Sequence, residues 1–164
     1  MKHFYSSLVA CVLLAANLPI LAETTTSGLK ITARTVGKCG ITSITNLAFK
    51  TDIPTPISII QEAHSVIVIF CSSAVTGLVS LNQGEGSGAT CNERRMTQQG
   101  GTGLLKYQLY RDDTGSTVFG DGATCGATQP FSYTDLINVY GRLVVPQSPA
   151  PGLYSDTITA TVTF

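Results

Sequence analysis

The clearest alternation in the chain lies in its final stretch. In GLYSDTITATVTF, residues 152–164, Ile158, Ala160, Val162 and Phe164 fall on one face of an extended backbone, and Thr157, Thr159, Thr161 and Thr163 fall on the other. Period-two alternation of apolar residues with β-branched polar ones predicts a half-buried strand. No turn or returning strand follows it, so the expectation is a hydrophobic strand edge, which proteins ordinarily cover. Another strand is expected to pair with it.

The remaining pattern also has the period of strands. Residues 41–49 (ITSITNLAF) predict one strand. Residues 64–71 (HSVIVIFC), the most apolar run after the leader, predict a core strand buried on both faces. Residues 77–82 (GLVSLN) predict a short strand, and residues 103–111 a longer one with Leu105, Tyr107 and Leu109 on one face. A short strand is expected at 117–119, and another at 138–145 (NVYGRLVV) with a bulge at Gly141. Residues 52–56 (DIPTP) cannot sit in a central ladder. The segments 83–90, 119–126 and 146–151 read as loops. Six or seven short strands with no sustained helical period predict an all-β sandwich with immunoglobulin-type Greek-key connections, lacking its last strand.

Residues 1–22 read as a secretory signal: Lys2 and His3, an apolar core at 8–16, Pro19 and the small residue Ala22. The apolar run is too short to span a bilayer. A polar lead, ETTTSG at 23–28, then gives way to a second alternating stretch. Leu29, Ile31 and Ala33, continued by Thr35, share one face, and Lys30, Thr32 and Arg34 share the other. This is either the first strand of the domain's own sheet or a detached extension. The expected organisation is a signal at 1–22, an N-terminal extension at 23–37 and a domain at 38–164.

Ten basic and ten acidic residues with no charge run give no footprint for nucleic acid. Cys11 falls in the signal, leaving Cys39, Cys71, Cys91 and Cys125. An even count in an exported chain favours two disulfides, for which three pairings are open. Cys39–Cys71 with Cys91–Cys125 is favoured because it closes two loops of similar, moderate size, each worth about 3–4 kcal/mol in the chain-entropy model. No CxxC or HxxxH spacing points to a metal.

Other chemical motifs reduce to ordinary structure. Asp113-Thr114-Gly115 spells the aspartic-protease triplet but has the chemistry of a turn. The glycine-rich 83–90 loop has no strand–loop–helix unit around it, so a phosphate site is not expected. Arg94 and Arg95, beside Glu93, are expected to be solvated strand-end charges, and His64 a structural residue at a strand start. No catalytic pair, cofactor site or small-molecule substrate is indicated, and an enzyme is not expected.

Several blocks together resemble a known family. They are Arg94-Arg95-Met96 after a glycine-rich loop, Leu105-x-Tyr107-x-Leu109-Tyr110, Val139-Tyr140-Gly141-Arg142, and Pro151-Gly152-x-Tyr154-Ser155-Asp156-Thr157 with its Thr/Val tail. The chain resembles the spore coat protein U domain, which is also the pilin domain of archaic, Csu-type chaperone–usher pili. Two departures are Ala48-Phe49-Lys50 where Phe-Gly is usual, and Phe119-Gly120 where Trp-Gly is usual.

The resemblance implies an incomplete fold completed by donor-strand complementation. A periplasmic chaperone lends a strand, and the N-terminal extension of the next subunit then replaces it. Leu29, Ile31, Ala33 and Thr35 would be the donor plugs, and Ile158, Ala160, Val162 and Phe164 the edge of the acceptor groove. Expected partners are a periplasmic chaperone, an outer-membrane usher and neighbouring subunits, with export through the periplasm to the cell surface. The expected role is a structural pilus subunit in adhesion and biofilm formation. The alternatives are a secreted coat protein or a minor adaptor or tip binding module.

Overall fold

The computed structural model describes residues 32–34 and 36–164. The signal segment and three expected donor residues, Leu29, Ile31 and Thr35, lie outside the described residues, and Ala33 takes no regular secondary structure. From residue 36 onward the chain is all-β. Its strands are β1 (Cys39–Ile44), β2 (Glu62–Cys71), β3 (Thr76–Leu81), β4 (Arg94–Gln98), β5 (Leu104–Tyr110), β6 (Gln129–Ser132), β7 (Asp135–Leu143), β8 (Tyr154–Ser155) and β9 (Ala160–Thr163). They form a six-stranded sheet in the order β1-β2-β7-β5-β4-β8 and a three-stranded sheet in the order β6-β3-β9. Each strand pairing is antiparallel. The chain crosses repeatedly between the sheets, and one core joins them, with Ile67, Ile69, Leu109, Ile137 and Val139 from the larger sheet against Val79, Leu81 and Phe131 from the smaller.

Four expectations are corrected. The strand that starts at Cys39 stops at Ile44 rather than running to Phe49. Thr45 still donates its amide to Val66 O (3.0 Å), but the chain then leaves the sheet so that Leu47 and Phe49 pack on the core. β2 is buried on one face only. Ser65, Ile67, Ile69 and Cys71 point inward, whereas Phe70 is 53 % exposed because, among the described residues, no element covers the outer face of the sheet there.

Gly141 is not a bulge, since it holds its place in unbroken registers opposite Ala63 and Leu109. It belongs to the inward row of β7 with Ile137, Val139 and Leu143, and a Cβ there would lie 2.8 Å from Leu47 Cδ2 and 3.2 Å from Phe49 Cζ. Glycine stands there because two side chains from residues 45–57 occupy the space a side chain would need.

The fourth correction is Arg94, which is fully buried rather than solvated. Its Nε donates to Asn82 O (3.0 Å), and Nη2 donates to Asn82 O and Phe119 O (both 2.8 Å). Nη1 donates to Gln108 Oε1 (2.5 Å) and Cys91 O (3.4 Å). Gln108 Nε2 also donates to Cys91 O (2.9 Å). Among the described residues no carboxylate pairs with Arg94. The guanidinium serves instead as a fork of donors for loop carbonyls that would otherwise be buried unsatisfied. Burial lowers its pKa, but an arginine stays charged in a protein. The Cys91–Cys125 disulfide joins the same two loops, and Cys39–Cys71 joins the paired ends of β1 and β2.

The loops are held by local carboxylates. Asp112 accepts from Thr114 Oγ1 and from the amides of Ser116 and Thr117. Asp121 accepts from Thr124 Oγ1 and from the amides of Ala123, Thr124 and Cys125. These donors hold both carboxyls well below the usual range. Gly115, in the left-handed region (φ 72°), closes the Asp-Thr-Gly turn.

The arginines yield a direct contrast. Arg94→Met should destabilise the domain by about 3 kcal/mol or more, because it strands several buried carbonyls. Arg95→Met, which removes a partly exposed pair with Glu93, should cost less than about 1 kcal/mol. Chemical denaturation of the two variants measures the difference. The two aspartates set an acid dependence. Their folded pKa values are depressed, so their contribution is complete above the unfolded value, about 4, and is lost as pH falls below it. Asp112→Asn with Asp121→Asn should therefore flatten the fall in melting temperature below about pH 4.

Candidate functional site

The final alternating stretch does not form one strand. Tyr154 and Ser155 pair with Gln98 and Thr97 at the edge of the larger sheet, and Ala160–Thr163 pair with β3 at the edge of the smaller. Asp156 sits at the corner between them. Its Oδ1 accepts from the amides of Glu85 and Thr157 (both 2.8 Å), and its Oδ2 accepts from the Tyr107 hydroxyl (2.6 Å). Burial first, and the Asp156 carboxylate second, push the Tyr107 hydroxyl above its ordinary range, so it remains a donor. The Ser-Asp-Thr block thus carries the crossover, and a buried tyrosine of β5 anchors it.

β9 has β3 on one side and, among the described residues, no strand on the other. Asn82 N donates to Thr159 O (3.1 Å), and Thr159 N donates to Asn82 Oδ1 (2.9 Å). The next amide of β3, Leu81 N, turns away to Gly120 O (3.1 Å). In an antiparallel pair, residues that exchange hydrogen bonds with their opposite alternate with residues that do not. With Leu81 opposite Ala160 and Val79 opposite Val162, Thr159, Thr161 and Thr163 bond toward β3. The amides and carbonyls of Ala160 and Val162, with Ile158 in the same series, lie on the open side.

The same residues turn their side chains inward. Ile158, Ala160 and Val162 pack against the core but are only partly buried. Beside them a cleft of about 1130 Å³ reaches the core. One wall is residues 44–57, including Leu47, Phe49 and Ile53, and the other is residues 149–158. Its floor includes Ile67, Leu81, Leu105, Tyr107, Leu109 and Val139. Phe49 meets Tyr107 edge-on, with ring centroids 6.5 Å apart. A long apolar trough beside a row of free backbone groups suits an extended peptide, whose main chain can bond the edge while alternate side chains enter the core.

Of the residues expected at this edge, Ile158 lies just ahead of β9, Ala160 and Val162 lie within it, and Phe164 stands one residue beyond it. Phe164 is 56 % exposed and does not join the core cluster, because the pairing with β3 ends at Thr163 opposite Leu78. Of the expected donor residues, Leu29, Ile31 and Thr35 lie outside the described residues, and Ala33 takes no regular secondary structure. The pattern missed the second wall, the Tyr107–Asp156 anchor and the Asn82 brace. The only sequence signals for them were the Asp of the Pro-Gly-x-Tyr-Ser-Asp-Thr block and the glycine of Val-Tyr-Gly-Arg.

Cys91, Asp121 and Cys125 bring their ligand atoms together, but the two sulfurs are bonded to each other and offer no thiolate. Among the described residues the open edge and its cleft are the best-built candidate for function.

Comparison with known proteins agrees with this architecture. The chain is 32 % identical over 180 residues to Protein U of Myxococcus xanthus, a match covering 99 % of this chain and 98 % of that protein. Its fold matches a chain in the crystal structure of the CsuC–CsuE chaperone–tip adhesion subunit pre-assembly complex from archaic chaperone–usher Csu pili of Acinetobacter baumannii. That match has a TM-score of 0.56 at 21 % identity and covers 79 % of this chain but only 40 % of the other. It identifies the sandwich as immunoglobulin-like. The model of the Spore Coat Protein U domain matches residues 25–161, and the chain belongs to that family.

Proposed function

We propose that this protein is a structural subunit of a chaperone–usher surface pilus, polymerising by donor-strand exchange and serving adhesion and biofilm formation. The observation that carries the reading is the edge of β9, unpaired among the described residues, with Ile158, Ala160 and Val162 half-buried beside a cleft that reaches the core. On this reading a periplasmic chaperone fills the cleft first. The N-terminal extension of a neighbouring subunit then replaces the chaperone at an outer-membrane usher. Leu29, Ile31, Ala33 and Thr35 supply the plugs, and the polymer is displayed on the cell surface. Three or four such plugs contribute about 5–10 kcal/mol before ordering costs. Total stabilities are about 5–15 kcal/mol, so filling the cleft decides whether the domain is marginal or very stable.

The full-length likeness to Protein U, within a family named for a spore coat, supports a second reading as a secreted coat protein. The two readings share a fold and differ in whether strands are exchanged between copies.

Size exclusion and thermal melting of residues 23–164, with and without residues 23–36, test the first reading. The longer form should make heat-resistant polymers. The shorter should be a fragile monomer whose melting temperature rises by more than 10 °C when a peptide of residues 24–36 is added, on the scale of about 4–8 °C per kcal/mol for a small domain. Equal stability of two monomeric forms sinks the pilus mechanism and leaves the coat reading first. Ile31→Asp should abolish polymerisation yet leave chaperone capture intact, because it alters the donor and not the acceptor cleft. Polymers of normal length from this variant would rule out residues 29–35 as the donor strand.

A further inference from the structure

The Cys39–Cys71 disulfide stands where the N-terminal extension joins the folded domain. Cys39 is the first residue of β1 and Cys71 the last of β2, and the two are paired directly across the ladder. Further ties continue outward from it. Ser72 N donates to Lys38 O (2.8 Å), and Lys38 N donates to Ser72 Oγ (3.0 Å). A Cβ on Gly37 would lie 2.4 Å from Ser73 Oγ and 2.5 Å from Val75 Cγ2, so the backbone there approaches the β2–β3 turn too closely for a side chain. Val36, the next residue outward, is 62 % exposed. A pull on the extension therefore enters the domain through Gly37, Lys38 and Cys39.

The strand that follows is poorly suited to resist such a pull. β1 has six residues, and its register with β2 slips between Ile41 and Ser43. It has β2 on one side and, among the described residues, no strand on the other. Its hydrogen bonds can break one after another from the end that is pulled. Beyond Ile44 the chain becomes the cleft wall that carries Leu47, Phe49 and Ile53. Stripping β1 from its start would take that wall with it. β2 is better held, because it pairs with β1 on one side and with β7 from Glu62 to Ile69 on the other, and Cys71 is fully buried.

We propose that Cys39–Cys71 is a mechanical stop, which passes tension from the extension straight to β2 and keeps β1 and the cleft wall in place while the subunit is pulled. The proposal rests on the strand-exchange reading, in which each subunit is pulled through its extension and through the strand held in its cleft. A subunit that keeps its wall under tension keeps its grip on that strand. The second disulfide supplies the control. The two bonds have sequence separations of 32 and 34 residues, so the chain-entropy model gives them nearly equal effects on equilibrium stability. Neither Cys91 nor Cys125 adjoins the extension or lines the cleft. Forced unfolding follows the unfolding rate rather than equilibrium stability, so under tension the placement of a bond outweighs the size of its loop.

The test compares the exported chain with two paired replacements, Cys39→Ser with Cys71→Ser and Cys91→Ser with Cys125→Ser. With the cleft filled by a peptide of residues 24–36, the two variants should lose similar amounts of melting temperature. Polymers stretched by force spectroscopy should separate them. Loss of Cys39–Cys71 should lower the force at which subunits extend or part at least twofold, and loss of Cys91–Cys125 should leave it unchanged. Adding Ile41→Cys and Ile69→Cys, a directly opposed pair two residues further in, should restore the force to the first variant. If the first variant does not fold, polymers of the second, reduced after assembly, lose the same bond and should show the same fall. Equal force with and without Cys39–Cys71, or an equal fall from either loss, would overturn the stop and leave strand exchange standing. Absence of polymers from the unsubstituted chain would remove the strand-exchange reading. Single subunits pulled between residues 30 and 161 then decide the stop by themselves: a twofold fall on loss of Cys39–Cys71 supports it, and an unchanged force overturns it.

Discussion

A strand edge in an antiparallel sheet must either pair, be covered or tolerate water, and the structure turns on one edge that does none of these well. β9 directs its threonines' backbone groups to β3 and leaves those of Ala160 and Val162 without a strand partner among the described residues, while their side chains face the core and are only partly buried. Polar and apolar deficits coincide along one line. A single extended peptide can satisfy both, because main-chain bonding and alternate side-chain burial have the same period of two. A compact small molecule would match the apolar trough and leave the row of amides and carbonyls unmet.

With β9 paired on one side only among the described residues, other contacts hold the sandwich together. Here much of that work is polar and covalent. Arg94 gathers carbonyls from the loops at Asn82, Cys91 and Phe119, Gln108 shares the load, and Cys91–Cys125 joins the same region. Tyr107 and Asp156 pin the crossover that delivers β9 to the second sheet, and Asn82 braces the residue just before it. None of these groups depends on a strand in the cleft. That independence keeps the β9 edge formed with no second strand beside it among the described residues. Gly141 has a related part: lacking a side chain, it lets Leu47 and Phe49 settle on the floor and form the second wall.

The all-β class, the loop punctuation and the amphipathic faces were legible in the chain itself, because period-two alternation is a local property. Leu105, Tyr107 and Leu109 face inward as their spacing requires, and Ile158, Ala160 and Val162 share an inward face. Fold and family could be read from local blocks for the same reason.

What the alternation could not convey was sheet membership. Residues 152–164 alternate as one strand, yet Asp156 divides them between two sheets, since the divider is a hydrogen bond to Tyr107, 49 residues away. Arg94 looks in sequence like its neighbour Arg95, and only the carbonyls converging from distant loops make one a buried clamp and the other a surface ion pair. Gly141 reads as a bulge until Leu47 and Phe49 are placed over it. Sequence by itself determined which residues are extended and which faces are apolar. Tertiary structure alone decided which edge is left open and what polar contacts keep it so, because those depend on groups that meet only after the chain has crossed from one sheet to the other.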